Sequence, residues 1–196
     1  NYEFMPFIYR MDLPSELLAS YTEAPDVAAF SCVMWNAQLN YHIARIIKEK
    51  WPDCLIVFGG PNVAMPPQHS VADWMNEHPF VDVAVRAEGE EPFADILLRL
   101  LESRDFRDIP GVACRLEDGT IGFCGKERPF KRDLSELPSP YLEGMYDYLL
   151  EQHGGNRFNA ILESNRGCPF PCTFCVVESS LLLTPYGIKR IEDICS

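Results

Sequence analysis

Three cysteines, Cys168, Cys172 and Cys175, fall within the stretch Arg166-Gly-Cys-Pro-Phe-Pro-Cys-Thr-Phe-Cys175. Gaps of three and two residues let one short loop turn three thiolates toward a common point. A structural zinc site usually closes its shell with four ligands. A four-iron cluster held by three thiolates instead keeps one iron open for a substrate or cofactor to chelate. The spacing therefore reads as a 4Fe-4S site. A zinc loop, or thiols that happen to be close, are the readings it competes with.

Such a loop needs a scaffold. Asn159-Ala-Ile-Leu-Glu163 reads as a strand feeding directly into it. Barrel enzymes place their sites at the carboxyl ends of strands in this way. Upstream, Val27-Ala-Ala-Phe-Ser-Cys32, Leu55-Ile-Val-Phe58 and Val81-Asp-Val-Ala-Val85 are short, largely apolar runs. Such runs suit strands buried on both faces. Between and after them come helical patterns at Tyr41 to Trp51, Gln68 to Glu77, and from Pro92 to Leu101. In the last of these, Phe93, Ile96, Leu97, Leu100 and Leu101 share one face. A shorter helix follows Ser15, its candidate cap.

Alternating strands and helices predict an α/β fold, a doubly wound, flavodoxin-like parallel sheet. Ligands of such sheets bind beyond the carboxyl ends of the strands. The candidate cofactor-binding residues are therefore Ser31, Cys32, Trp35 and Asn36 after the first strand. Gly59, Gly60, Pro61 and Asn62 follow the second, and Glu88, Gly89 and Glu90 the third. Gly59 and Gly60 either let a flat ligand approach the backbone or serve a tight turn.

From 104 onward the character changes. Ile109 to Phe123 forms two short strands around Asp118-Gly119, a hairpin turn signal. A basic stretch from Lys126 to Arg132 and the Pro-punctuated Leu134 to Tyr141 read as a linker, and Tyr146 to Gln152 as a short helix. The expected domains are a cofactor-binding sheet domain at 1–105, a hairpin and linker at 106–156, the start of a barrel with its cysteine loop at 157–175, and a distinct segment at 175–196.

Composition narrows the classes. A formal net charge of -12 argues against a nucleic-acid surface, which needs clustered Lys and Arg. No apolar run approaches the ~18 residues of a membrane span. The chain opens Asn1-Tyr-Glu-Phe, without an initiator Met or a signal peptide, and reads as a fragment. Clustered cysteines outside a secretory context are more often metal-binding than disulfide-bonded, so the expected compartment is the cytoplasm.

Several segments, in order, resemble the cobalamin-binding class of radical S-adenosylmethionine (radical SAM) proteins. They are Asp26-Val-Ala-Ala-Phe-Ser-Cys32 with Trp35-Asn36, Leu55 to Asn62, Val81 to Glu91, Asp108-Ile-Pro-Gly-Val112, Leu137-Pro-Ser-Pro-Tyr141 and the loop at 165–175. The resemblance implies a cobalamin domain followed by a partial (β/α) barrel, here truncated to its first strand and cluster loop. Cys168, Cys172 and Cys175 would hold the cluster, and its open iron would bind S-adenosylmethionine. Reductive cleavage would then give a 5′-deoxyadenosyl radical, and cobalamin would relay a methyl group to an unknown substrate. One departure matters: the D-x-H-x-x-G loop whose His ligates cobalt is missing. Asp12 is followed by Leu13-Pro14, and His42, His69, His78 and His153 lie in other contexts, so cobalt is expected not to be His-ligated by this chain. A non-catalytic cobalamin-binding module is the alternative.

A second departure follows Cys175. The segment Cys175-Val-Val-Glu-Ser-Ser-Leu-Leu-Leu-Thr-Pro-Tyr-Gly-Ile-Lys-Arg-Ile-Glu-Asp-Ile194 resembles the opening of an intein, against the plainer reading of a barrel helix or family variant. The intein resemblance implies that Cys175 attacks the carbonyl of Phe174, as thiol nucleophiles do. A Cys beyond the intein would then replace it as third cluster ligand. The chain would be a precursor end, lacking the intein remainder or the C-terminal barrel.

Overall fold

The computed structural model describes residues 2–5, 13–19, 21–63, 70–126, 128 and 136–152. The chain divides into two compact units, Asn1–Phe130 and Lys131–Ser196.

The first unit opens with a short helix, α1 (Pro14–Ala19), and continues β1 (Val27–Ser31), α2 (Ala37–Lys50), β2 (Leu55–Gly59), α3 (Val71–Glu77), β3 (Val83–Val85), α4 (Glu90–Glu102), β4 (Val112–Arg115) and β5 (Ile121–Phe123). The five strands form one sheet in chain order. β1, β2 and β3 are parallel, with Val27 opposite Leu55 and Val57 opposite Val83. β4 then runs antiparallel to β3, pairing Ala84 with Ala113, and β5 antiparallel to β4. The expected all-parallel sheet is thus corrected to a mixed one. The hairpin expected as a linker extends the sheet, because β4 carries the apolar Val112, Ala113 and Cys114 and finds an open edge in β3.

Side-chain alternation sorts the core into two layers. Ile56 and Phe58 of β2, Ala84 of β3 and Ala113 of β4 face a cluster built with Tyr41, Ile43, Ala44 and Ile47 of α2 and Val71, Trp74 and Met75 of α3. Leu55 and Val57, Val83 and Val85, Val112 and Cys114 face the opposite cluster, under Ile96 of α4, Phe106 and Ile109. Helices therefore cover both faces. β2 and β3 are buried on both sides, as their unbroken apolar runs predict. β1 departs from that expectation: it is the edge of the described sheet, and Ala29 and Ser31 are exposed.

Local signals explain the helices. α3 starts at Ser70, whose hydroxyl accepts from the Asp73 amide at 3.1 Å, satisfying one of the free donors of the first turn. α4 carries Glu90 and Glu91 in its first turn and Arg99 in its last, matching the helix dipole. Of its expected apolar face, Ile96 is buried and Phe93 and Leu100 pack against the core, but Leu101 is exposed. The hairpin turns at Gly119 (φ 83), with the Asp118 carboxylate accepting from the Thr120 amide at 2.9 Å. In the second unit the described residues, 136–152, include a turn from Pro140 to Tyr146, with Tyr141 and Tyr146 rings 5.2 Å apart, leading into α5 (Asp147–Gln152).

Candidate cofactor site

β1, β2 and β3 are parallel neighbours, so their carboxyl ends lie side by side, and the three sequence-predicted loops leave from that one edge. The first two loops are joined through the backbone. The Cys32 amide donates to the Gly59 carbonyl at 2.6 Å, and the Cys32 carbonyl accepts from the Asn62 amide at 3.0 Å. Gly60 (φ 104) makes this possible: a Cβ there would stand 2.7 Å from the Cys32 carbonyl oxygen. Its role is close passage of one backbone by another, which the sequence presented only as a turn or a ligand approach. Gly59 is less constrained, its virtual Cβ meeting Val85 at an ordinary 3.7 Å.

After β1 the chain turns sharply. Asn36 accepts from the Val33 amide at 2.9 Å and donates its amide to the Ser31 carbonyl at 2.9 Å. Asn40, one turn on, donates to the same carbonyl at 2.8 Å. Sequence reasoning passed over Asn40, although the i, i+4 spacing from Asn36 is readable. This turn leaves Met34 and Trp35 standing out, 79% and 74% exposed, a large apolar surface at the strand ends. Pro61 is exposed and Asn62 half-buried beside them in sequence order.

Cys32 faces the other way. It is fully buried, and its thiol lies 3.4 Å from the Tyr41 hydroxyl. Burial raises its pKa, so the thiol stays protonated at neutral pH. Burial likewise raises Tyr41, with the Cys32 contact adding to the effect. Cys32 thus contributes its main chain to the edge, while its side chain belongs to the core.

The third loop runs from Arg86 to Gly89. Ala87 takes a left-handed conformation (φ 59), uncommon for a residue with a Cβ. Gly89 caps α4 and has no neighbour within 4 Å of the position a Cβ would fill. Glu88 is half-buried and Glu90, the first residue of α4, exposed. Nothing in the sequence signalled Ala87, and Arg128, which reaches α4 near this loop, was read only as part of a basic stretch.

Neither described histidine lies in these loops. His42 is on α2, and the His78 ring stacks on Trp74 at 4.6 Å with Nδ1 2.7 Å from the Trp74 carbonyl. Among the described residues no group of three His, Cys, Asp or Glu could hold a metal ion, and no helix is long and apolar enough to cross a membrane. Cys168, Cys172, Cys175, the 159–163 strand and the 175–196 segment lie outside the described residues.

No family model matches the chain. It is 38% identical over 198 aligned residues to the 2-(S-pantetheinyl)-carbapenam-3-carboxylate methyltransferase of Streptantibioticus cattleyicolor, covering 98% of this chain and 28% of that protein. It is 35% identical over 195 residues to the cobalamin-dependent radical SAM methyltransferase TokK of Streptomyces tokunonensis, covering 98% of this chain and 27% of that protein. The fold matches that of the cobalamin-dependent S-adenosylmethionine radical enzyme OxsB, solved with aqua-cobalamin and S-adenosylmethionine bound. The TM-score is 0.56 at 22% identity, over 82% of this chain and 21% of that one. The chain spans a little over a quarter of the length of the first two relatives. Over that stretch it is homologous to these two methyltransferases, the second of which is a cobalamin-dependent radical SAM enzyme.

Proposed function

We propose that this chain is the cofactor-binding part of a cobalamin-dependent radical SAM methyltransferase. The observation that carries the reading is the common edge formed by the three loops after β1, β2 and β3. Exposed Met34 and Trp35 and the open space over Gly89 fit a broad, flat ligand with apolar faces. When bound, cobalamin supplies a methyl carrier, and a 4Fe-4S cluster on Cys168, Cys172 and Cys175 supplies the electron for S-adenosylmethionine chemistry. The chain's own residues have quieter tasks. Trp35 and Met34 offer apolar surface, Asn36 and Asn40 fix the turn that presents them, and Gly60 locks that turn to the loop after β2. No histidine stands among the described residues of these loops, so none of those residues would ligate cobalt through an imidazole.

Two experiments test this. Titration with hydroxocobalamin should change its visible spectrum saturably; an unchanged spectrum overturns the cofactor assignment. Anaerobic reconstitution with iron and sulfide should give a visible charge-transfer absorbance that Cys168→Ala abolishes. Retention of zinc with no such absorbance overturns the cluster.

A second reading concerns residues 175–196, where the pattern from Cys175 to Ile194 favours a splice junction. The Cys175 sulfur would attack the Phe174 carbonyl carbon, breaking the peptide bond to form a thioester and leaving the Cys175 nitrogen as a free amine. The alignments, at 98% of this chain, run past Cys175, as an uninterrupted barrel would require. The downstream reading frame decides. A terminal Asn followed by Cys and further barrel supports splicing, and barrel sequence continuing directly after Ser196 overturns it.

A further inference from the structure

The loop after β3 turns through a residue in a left-handed conformation. Ala87 sits at φ 59, a conformation disfavoured for any residue with a Cβ, and such residues persist only where their surroundings hold them. Backbone contacts contribute to that hold. The Arg86 amide donates to the Gly111 carbonyl at 2.8 Å, and the Gly111 amide in turn donates to the Lys126 carbonyl at 2.9 Å. Gly111 (φ 78) lies so close that a Cβ there would meet the Arg86 carbonyl oxygen at 3.4 Å and the Arg128 backbone nitrogen at 3.8 Å. Lys126 and Arg128 are thereby laid alongside the loop.

From that exit Arg128 reaches across to α4. One terminal nitrogen of its guanidinium donates to Glu91 at 2.8 Å and the other to Asp95. Glu91 and Asp95 are four residues apart, so both carboxylates stand on one face of the first turns of α4, just past Gly89. The side chain of Arg128 is 23% exposed and those of Glu91 and Asp95 about 40%. The Arg128 Nε is buried with no hydrogen-bond partner, and among the described residues Glu91 and Asp95 orient the guanidinium through its two terminal nitrogens. Half-exposed ion pairs add little to stability. A planar fork on two carboxylates is nonetheless a good device for fixing a helix end.

We propose that Arg128 is a positioning residue. By gripping Glu91 and Asp95 it holds the start of α4, and with it the left-handed bend at Ala87, as the third wall of the cofactor site. The site itself is the one proposed above, and the inference rests on that reading. The consequence is a separation of two properties: loosening this anchor changes the shape of the loop far more than the stability of the fold.

The test uses the whole chain and two readouts. In the first, without ligand, hydrogen exchange of amides 86–91 is compared between the native chain, Arg128→Ala and Arg128→Lys. Arg128→Ala should exchange about tenfold faster in that segment, with α2 unchanged, and Arg128→Lys should recover part of the protection, since a single ammonium engages one carboxylate well. Equal exchange in all three overturns the positioning role. The second readout is hydroxocobalamin affinity. Arg128→Ala should weaken it about tenfold, and Ala87→Gly, which relieves the backbone, should raise the melting temperature while also weakening binding. Native affinity in both variants overturns the inference and leaves the site standing. An unchanged hydroxocobalamin spectrum with the native chain overturns the site, while the exchange experiment still decides whether Arg128 holds the loop.

Discussion

The two ends of the parallel strands are built in opposite ways. At the amino ends, polar groups are tied down. Lys48 donates to Asp82 at 2.8 Å and to the Cys54 carbonyl at 3.0 Å, and Asp82 accepts from the Ile56 amide at 2.7 Å. Nearby, Arg115 donates to the Met75 carbonyl near the carboxyl end of α3 and to the Val81 carbonyl ahead of β3. At the carboxyl ends, side chains bond to their own turns, Met34 and Trp35 stand in solvent, Ala87 is strained and the space over Gly89 is open. The same sheet thus has one end devoted to holding the fold and one that leaves surface for something else to cover. The general rule for open α/β sheets places ligands at the second kind of end. Here the side chains, and not the topology alone, mark which end that is.

Substitutions can break this contrast in a graded way. The largest effect is expected where the two roles meet. Gly60→Ala places a Cβ against the Cys32 carbonyl at a positive φ, costing about 3 kcal/mol in urea unfolding and weakening cofactor binding with it. Asp82→Ala should cost about 2 kcal/mol, since it strands the Ile56 amide and leaves Lys48 only the Cys54 carbonyl among its described partners, yet leave hydroxocobalamin affinity unchanged. A loss of affinity there would erase the distinction between the ends.

Alkaline pH tests the core between them. Burial pushes the Cys54 thiol up to about 11 and also raises Cys32, Cys114 and Tyr41. Folded pKa values above the unfolded ones mean that the contribution is fully present below about pH 9 and is lost as pH rises toward 11. The urea midpoint should fall across that window, and a flat profile would contradict the burial of these groups. Smallest in stability is Trp35→Ala. An exposed side chain should change unfolding by no more than about 0.5 kcal/mol, while cofactor affinity falls about tenfold.

How much of this was legible beforehand depends on what each feature rests on. β2, β3 and the α3 and α4 segments follow from local apolar patterns, and the hairpin from Asp118-Gly119. The edge position of β1 and the addition of β4 and β5 to the sheet were not legible, because strand pairing is a choice among distant partners. α2 begins at Ala37, before the expected Tyr41, because the turn made by Asn36 and Asn40 starts it early. In the site, the three loops were found from topology. Which atoms face outward was not: Cys32 turns into the core, Trp35 turns out, and Gly60 serves Cys32. Ala87 and Arg128 had no signal, since a strained bend and its anchor are defined only by segments far apart in sequence.

The most direct test of the central claim is titration of the native chain and Trp35→Ala with hydroxocobalamin, followed by visible absorbance. A saturable change in the native chain that weakens about tenfold in Trp35→Ala places the ligand at the carboxyl ends of the strands. An unchanged spectrum with the native chain, or equal binding by Trp35→Ala, would contradict it.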